Sequence, residues 1–127
     1  EYVVGSHRRG EWFKPKRFVD AADHASDDPR FLPVPDVEGN RGAYTLLGWD
    51  LEPGDCVAFH GLTLHGAPGN RSGTVRRRAV SARWTGDDAV FTRRTGIESP
   101  PAPADAPPAG GPMDSEVFPV VWRVGGG

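Results

Sequence analysis

Short apolar runs recur along this chain at roughly ten-residue spacing, each closed by a Gly- or Pro-bearing turn, and this pattern restricts the fold more than anything else in the sequence. Tyr2-Val-Val-Gly5 opens the series. Ala43-Tyr-Thr-Leu-Leu-Gly-Trp49 follows, then Cys56-Val-Ala-Phe59, then the extended segment from His60 to Gly66, then Arg78-Ala-Val-Ser-Ala-Arg-Trp84 before Gly86. Short strands at such spacing belong to an all-β sandwich or barrel. Between Cys56 and Trp49 the tetrapeptide Glu52-Pro-Gly-Asp55 predicts a β-turn, with Pro53 set for the second position and Gly54 supplying a positive φ at the third.

Elsewhere the regular pattern lapses. Pro15, Pro29, Pro33 and Pro35, with Asp20, Asp23, Asp27 and Asp28, interrupt any sustained period from Glu11 to Arg41, leaving room for a short helix over residues 17–25. Residues 98–112 are Pro-rich and predict an extended connector. Val117-Phe-Pro-Val-Val-Trp122 is apolar enough to need cover, so it should pack back on the β core. The expected organisation is thus a β-domain over residues 1–97, a connector over 98–112 and an apolar segment with a Gly tail over 113–127.

With 127 residues, 17 Gly and 13 Pro, the chain has the size of one domain or part of one, and little spare core. The 15 basic and 17 acidic residues leave a formal net charge of -2, no overall field to draw in nucleic acid or an anionic membrane, so a small-molecule ligand is expected. No apolar run approaches the ~20 residues of a membrane helix. The lone Cys56 excludes an internal disulfide and a cysteine zinc cluster, and fits a reducing cytoplasm. In its apolar run it reads as a buried, inert thiol. The chain opens on Glu1, directly into Val3 and Val4, as a sequence cut from something longer would.

Residues 49–84 carry the chemistry. A His at a strand end, followed about a dozen residues on by an Arg on the next strand, can place a metal ligand and a carboxylate clamp at one barrel mouth. Taken alone, His65 also fits a hydrogen-bonded histidine at a strand end, Asn70 a turn residue, and Arg76-Arg77-Arg78 a solvated face. His60 reads as a supporting or core histidine, His7 as a strand-end side chain near the mouth, His24 as a solvated loop residue. Trp84 and Arg83 read as core packing and an ion pair.

The run Gly54-Asp-Cys-Val-Ala-Phe-His-Gly-Leu-Thr-Leu-His-Gly-Ala-Pro-Gly-Asn-Arg-Ser, followed by Arg77-Arg-Ala-Val-Ser81-x-Arg83-Trp84, resembles the second half of the phytanoyl-CoA dioxygenase family. Val4-Gly-Ser-His-Arg, Gly86-Asp-Asp88 and Phe118-Pro-Val-Val-Trp122 resemble its flanking segments. The resemblance implies a mainly all-β fold, the C-terminal half of a double-stranded β-helix (jelly roll, cupin-like) with long irregular loops. It implies Fe(II) held by a His-x-Asp pair and a distal His, with 2-oxoglutarate chelating the metal and its C5 carboxylate paired to an Arg. His65 matches the distal His and Arg77 the carboxylate Arg, with Arg76 as the rival; Ser81 would add a hydroxyl contact on the same face if these residues alternate on a strand. The implied partners are a small-molecule substrate and molecular oxygen.

One departure stands out. His-x-Asp and His-x-Glu occur nowhere in the sequence, and His24-Ala-Ser-Asp27 has the wrong spacing and place. The expectation is therefore an oxygenase whose ligand pair lies upstream of Glu1, this chain alone being inactive. The alternative is a non-catalytic cupin-like binding domain that kept the sheet and lost its metal. A cupin isomerase would need more His and Glu than the chain holds.

Overall fold

A computed structural model describes residues 1–16, 28–93 and 102–123, which fall into two compact units, Glu1–Arg77 and Arg78–Gly127. The first unit is built around β1, Tyr2–Val3, which pairs antiparallel with β4, Leu46–Leu47, in the register Tyr2 to Leu47 and Val3 to Leu46. On its other edge Tyr2 bridges His65, also antiparallel. β1 is therefore the middle of a three-segment ribbon, and Val3 at its centre is 6% exposed. β-branched residues suit that setting because they pack on a pleated surface.

Gly5 and Gly10, at φ 73° and 66°, take left-handed conformations on either side of a 3-10 helix over Ser6–Arg9. This turn carries the chain out of the ribbon to β2, Trp12–Phe13, which pairs in parallel with β3, Phe31–Leu32. Trp12 meets Phe31 edge to face at 5.5 Å, and the Arg30 guanidinium lies over the Trp12 ring. A second 3-10 turn, Arg41–Ala43, leads into β4. The predicted turn at residues 52–55 forms: Asp55 N donates to Glu52 O at 3.0 Å, and Gly54 sits at φ 106°.

In the second unit Val90 bridges Pro112, Phe91 N donates to Gly111 O and Gly110 N to Phe91 O, both at 2.8 Å. Phe91 is 8% exposed and stacks on Phe118 with centroids 6.1 Å apart, whereas Val120, Val121 and Trp122 of the apolar C-terminal segment are exposed.

The described residues are mostly non-helical and carry two small two-stranded sheets, an arrangement compatible with a mainly-β fold. Two strand expectations fail. Residues 56–59 form no strand and Cys56 is exposed, not a buried thiol; Phe59 is 44% exposed. Residues 78–84 carry no β-pairing, and Val80 and Trp84 are 98% and 72% exposed, so Trp84 is not core packing. In both cases the apolar pattern is present, but no neighbouring backbone among the described residues completes a ladder, and a strand without one exposes its side chains. The short helix expected over residues 17–25 lies outside the described residues, as does His24. No helix among the described residues is long and apolar enough to cross a membrane.

Candidate functional site around His65

His65 sits opposite Tyr2 on the outer edge of the ribbon, in the non-hydrogen-bonded position between two bonded pairs. On one side Glu1 and Gly66 exchange both backbone bonds, Glu1 N to Gly66 O at 2.7 Å and Gly66 N to Glu1 O at 3.0 Å. On the other side Val3 N donates to Leu64 O at 2.9 Å. The imidazole stacks on Tyr2, centroids 5.9 Å apart and 16° between planes, and tilts against Phe59 at 4.6 Å. Trp49 extends this aromatic group by meeting Tyr2 at 5.8 Å. His65 itself is exposed.

The ring's protonation pattern follows from one contact. Nδ1 of His65 lies 2.8 Å from the carbonyl oxygen of Thr63. A carbonyl oxygen can only accept, so Nδ1 carries the proton and Nε2 of the neutral ring keeps its lone pair. Histidines that hold metals show this arrangement, one ring N–H fixed by a carbonyl or carboxylate and the other nitrogen on the ion.

Ser6 is the residue that sequence reasoning missed. It is 2% exposed, and its hydroxyl donates to Val3 O at 2.8 Å while accepting from Leu64 N at 2.9 Å. It lies within the Val4-Gly-Ser-His-Arg run, whose resemblance to a flanking segment of the family was the signal the sequence offered.

Arg77 donates from Nη1 to Pro68 O at 3.0 Å, closing the loop that begins just after His65. The loop is bonded internally. Asn70 accepts from Ser72 N through Oδ1 and donates to Val75 O at 2.7 Å, and Ser72 Oγ accepts from Val75 N at 2.9 Å. Asn70 is thus a turn residue, as expected of it. Arg76, Arg78 and Ser81 are exposed, and Ser81 belongs to the second unit. Because residues 77–81 form no strand, the alternation that aligned Ser81 with Arg77 does not operate here.

His7 and His60 face each other with centroids 5.4 Å apart. His60 is exposed rather than core, and its Nδ1 accepts from Leu62 N at 3.1 Å. At the start of β1, Glu1 holds Arg41 through two bonds, of 2.7 and 2.9 Å, and Arg41 also reaches Glu38. The hydrogen bonds from Arg41, with its charge, hold the Glu1 carboxyl below its ordinary pKa, and both carboxylates raise that of Arg41.

His65 fits one ligand position, yet among the described residues no three His, Cys, Asp or Glu come together as a metal site. These residues by themselves do not complete a site for iron. The family model described as phytanoyl-CoA dioxygenase matches residues 1–79, more than half of the chain and all of the segment bearing His65 and Arg77. No curated protein and no solved structure matches the sequence significantly.

Proposed function

The chain belongs to the phytanoyl-CoA dioxygenase family, and on that premise we propose that it is part of an Fe(II)- and 2-oxoglutarate-dependent oxygenase that hydroxylates an aliphatic C–H bond of a small molecule. The observation that carries the proposal is the His65 ring, with Nδ1 tied to Thr63 O and Nε2 left to coordinate. An Fe(II)–2-oxoglutarate pair, when bound, supplies the oxidising chemistry, with oxygen as oxidant and succinate and carbon dioxide as the other products.

In this proposal His65 is one iron ligand, and Arg77 the clamp for the C5 carboxylate. Arg77 uses Nη1 on Pro68 O, which leaves donors enough for a bidentate carboxylate contact. The other two ligands would come from residues outside this sequence, which holds no His-x-Asp or His-x-Glu. We assign residues 1–97 to the C-terminal half of a double-stranded β-helix, 98–112 to a connector, and 113–127 to a segment covering the core. The lone cysteine supports a cytoplasmic setting.

An anaerobic titration with Fe(II) and 2-oxoglutarate, read by the visible charge-transfer band of the chelate, tests this. The band is expected in a polypeptide extended to include a His-x-Asp pair, absent from its His65→Ala variant, and displaced to higher 2-oxoglutarate concentration in Arg77→Ala. A natural upstream sequence without such a pair, or a band indifferent to His65→Ala, would sink the proposal and leave the metal-free binding domain.

A further inference from the structure

In a regular antiparallel pair the residues Val3 and Leu64 would exchange two direct bonds. They exchange one. Val3 N donates to Leu64 O at 2.9 Å, but Leu64 N does not return to Val3 O. It donates instead to Ser6 Oγ at 2.9 Å, and Ser6 Oγ donates to Val3 O at 2.8 Å. The Ser6 hydroxyl is inserted into the ladder as a relay, using one lone pair and its proton, and both of its bonds are buried or half-buried.

The insertion falls beside His65. One flank of the Tyr2–His65 pair is closed by two direct bonds between Glu1 and Gly66, the other by one direct bond and one through a hydroxyl. The hydroxyl takes the place of the return bond from Leu64 N to Val3 O, one residue before His65. The ring of that next residue bonds Thr63 O and tilts against Phe59. From this geometry we infer that Ser6 is a positioning residue for His65: its hydroxyl fixes the Leu64 amide beside that residue and so the direction in which Nε2 points. The value of that direction for iron rests on the function proposed above; the positioning itself does not.

Gly5 makes the relay reachable. At φ 73° it reverses the chain immediately after β1, bringing the next side chain back over the Val3 carbonyl, and an L side chain there would be strained. Alanine at position 6 would leave the Leu64 N–H and one side of Val3 O without a partner in a position 2% exposed, where polar groups are almost always satisfied.

The test is NMR of the 127-residue chain, isotope-labelled and without metal, reading the His65 ring nitrogens and the exchange of the Leu64 amide. Ser6→Ala is expected to move His65 from the Nδ1–H pattern toward mixed tautomers and to speed Leu64 exchange by about tenfold, the loss of one buried hydrogen bond. Ser6→Thr, which keeps the hydroxyl, should restore both. Val3→Ala loosens the same strand but retains both backbone partners of Ser6, so it should leave the His65 ring pattern alone. An unchanged ring in Ser6→Ala, or an equal displacement in Val3→Ala, overturns the inference. Should Ser6→Ala not fold, Ser6→Cys, whose thiol is a weaker donor and acceptor, must displace the ring signals partway, and an unmoved ring there overturns it too. No iron enters this readout, so its failure is distinct from failure of the Fe(II) titration.

Discussion

His60 and His65 hold their rings in opposite tautomers. Nδ1 of His60 accepts from Leu62 N, which places its proton on Nε2, whereas Nδ1 of His65 donates to Thr63 O, which frees Nε2. The turn between them accounts for the contrast. Thr63 N donates back to His60 O at 2.8 Å, so one ring meets an N–H at the start of the turn and the other meets a carbonyl at its end. At a pH where both rings are neutral, long-range proton–nitrogen spectra should show the Nε2–H form for His60 and the Nδ1–H form for His65. Added Ni(II) should broaden His65 first, and the same form in both rings would refute the assignment.

Arg77 ties down its loop by a single charged bond to Pro68 O in an exposed setting. Arg77→Ala should therefore cost little global stability, on the order of 1 kcal/mol or less, while loosening residues 66–76. Amide exchange across that loop should quicken and the ribbon amides stay protected. Arg77→Lys keeps the charge and loses the planar fork, so in the extended, iron-binding polypeptide it should recover only part of the 2-oxoglutarate affinity. Full recovery by lysine would remove the bidentate role.

Gly54 is a position where sequence and structure agree in detail. Its φ of 106° excludes an L side chain at low cost, although nothing lies within 4 Å of where a Cβ would stand. Gly54→Ala should thus act through the backbone alone, weakening the 52–55 turn by about 1 kcal/mol, seen as roughly fivefold faster exchange at Asp55. An unaffected Asp55 amide would mean the turn relaxes to another type.

The same comparison shows where the sequence stops being informative. A β-turn is written in four adjacent residues, and Pro53-Gly54 suffices to read it. The ribbon is written in three distant pieces, and the apolar pattern identified each piece without their register. Ser6 was invisible for the same reason, since its two partners, Val3 and Leu64, become neighbours only after the ribbon forms. At residues 56–59 and 78–84 the pattern was read as strand, but strand propensity expresses fit to a pleated, half-buried surface, and the described residues supply none there. His65 was legible as a residue with a motif around it. Its tautomer was not, because that depends on where the Thr63 carbonyl points.

The unpaired segment at residues 78–84 has a consequence in solution. Val80 and Trp84 are 98% and 72% exposed, and Val121 and Trp122 in the same unit are 64% and 75% exposed. Extended backbone with open hydrogen-bonding groups and apolar side chains invites pairing with another chain. The 127-residue chain should self-associate with rising concentration, and Val80→Lys with Trp84→Lys should shift that onset several-fold upward, as read by light scattering. Identical scattering for the double variant would place the sticky surface elsewhere.

Glu1 and Arg41 set the acid limit of the ribbon. The Arg41 hydrogen bonds lower the Glu1 carboxyl from its ordinary value of 4.5, so the folded state binds that proton less readily than the unfolded one does. The contribution of the pair is therefore fully present above pH 4.5 and is lost as pH falls through the lowered value. Both side chains are exposed, so the effect is modest and screened by salt. In Arg41→Gln the Glu1 carboxyl should titrate nearer 4.5 by carbon NMR, and the extra acid loss of β1–β4 protection should disappear. Glu38→Gln provides the control. It removes the second carboxylate from Arg41 but leaves the bond to Glu1, so Glu1 should stay low; a rise as large as that in Arg41→Gln would show that the three charges act as one network rather than as a pair.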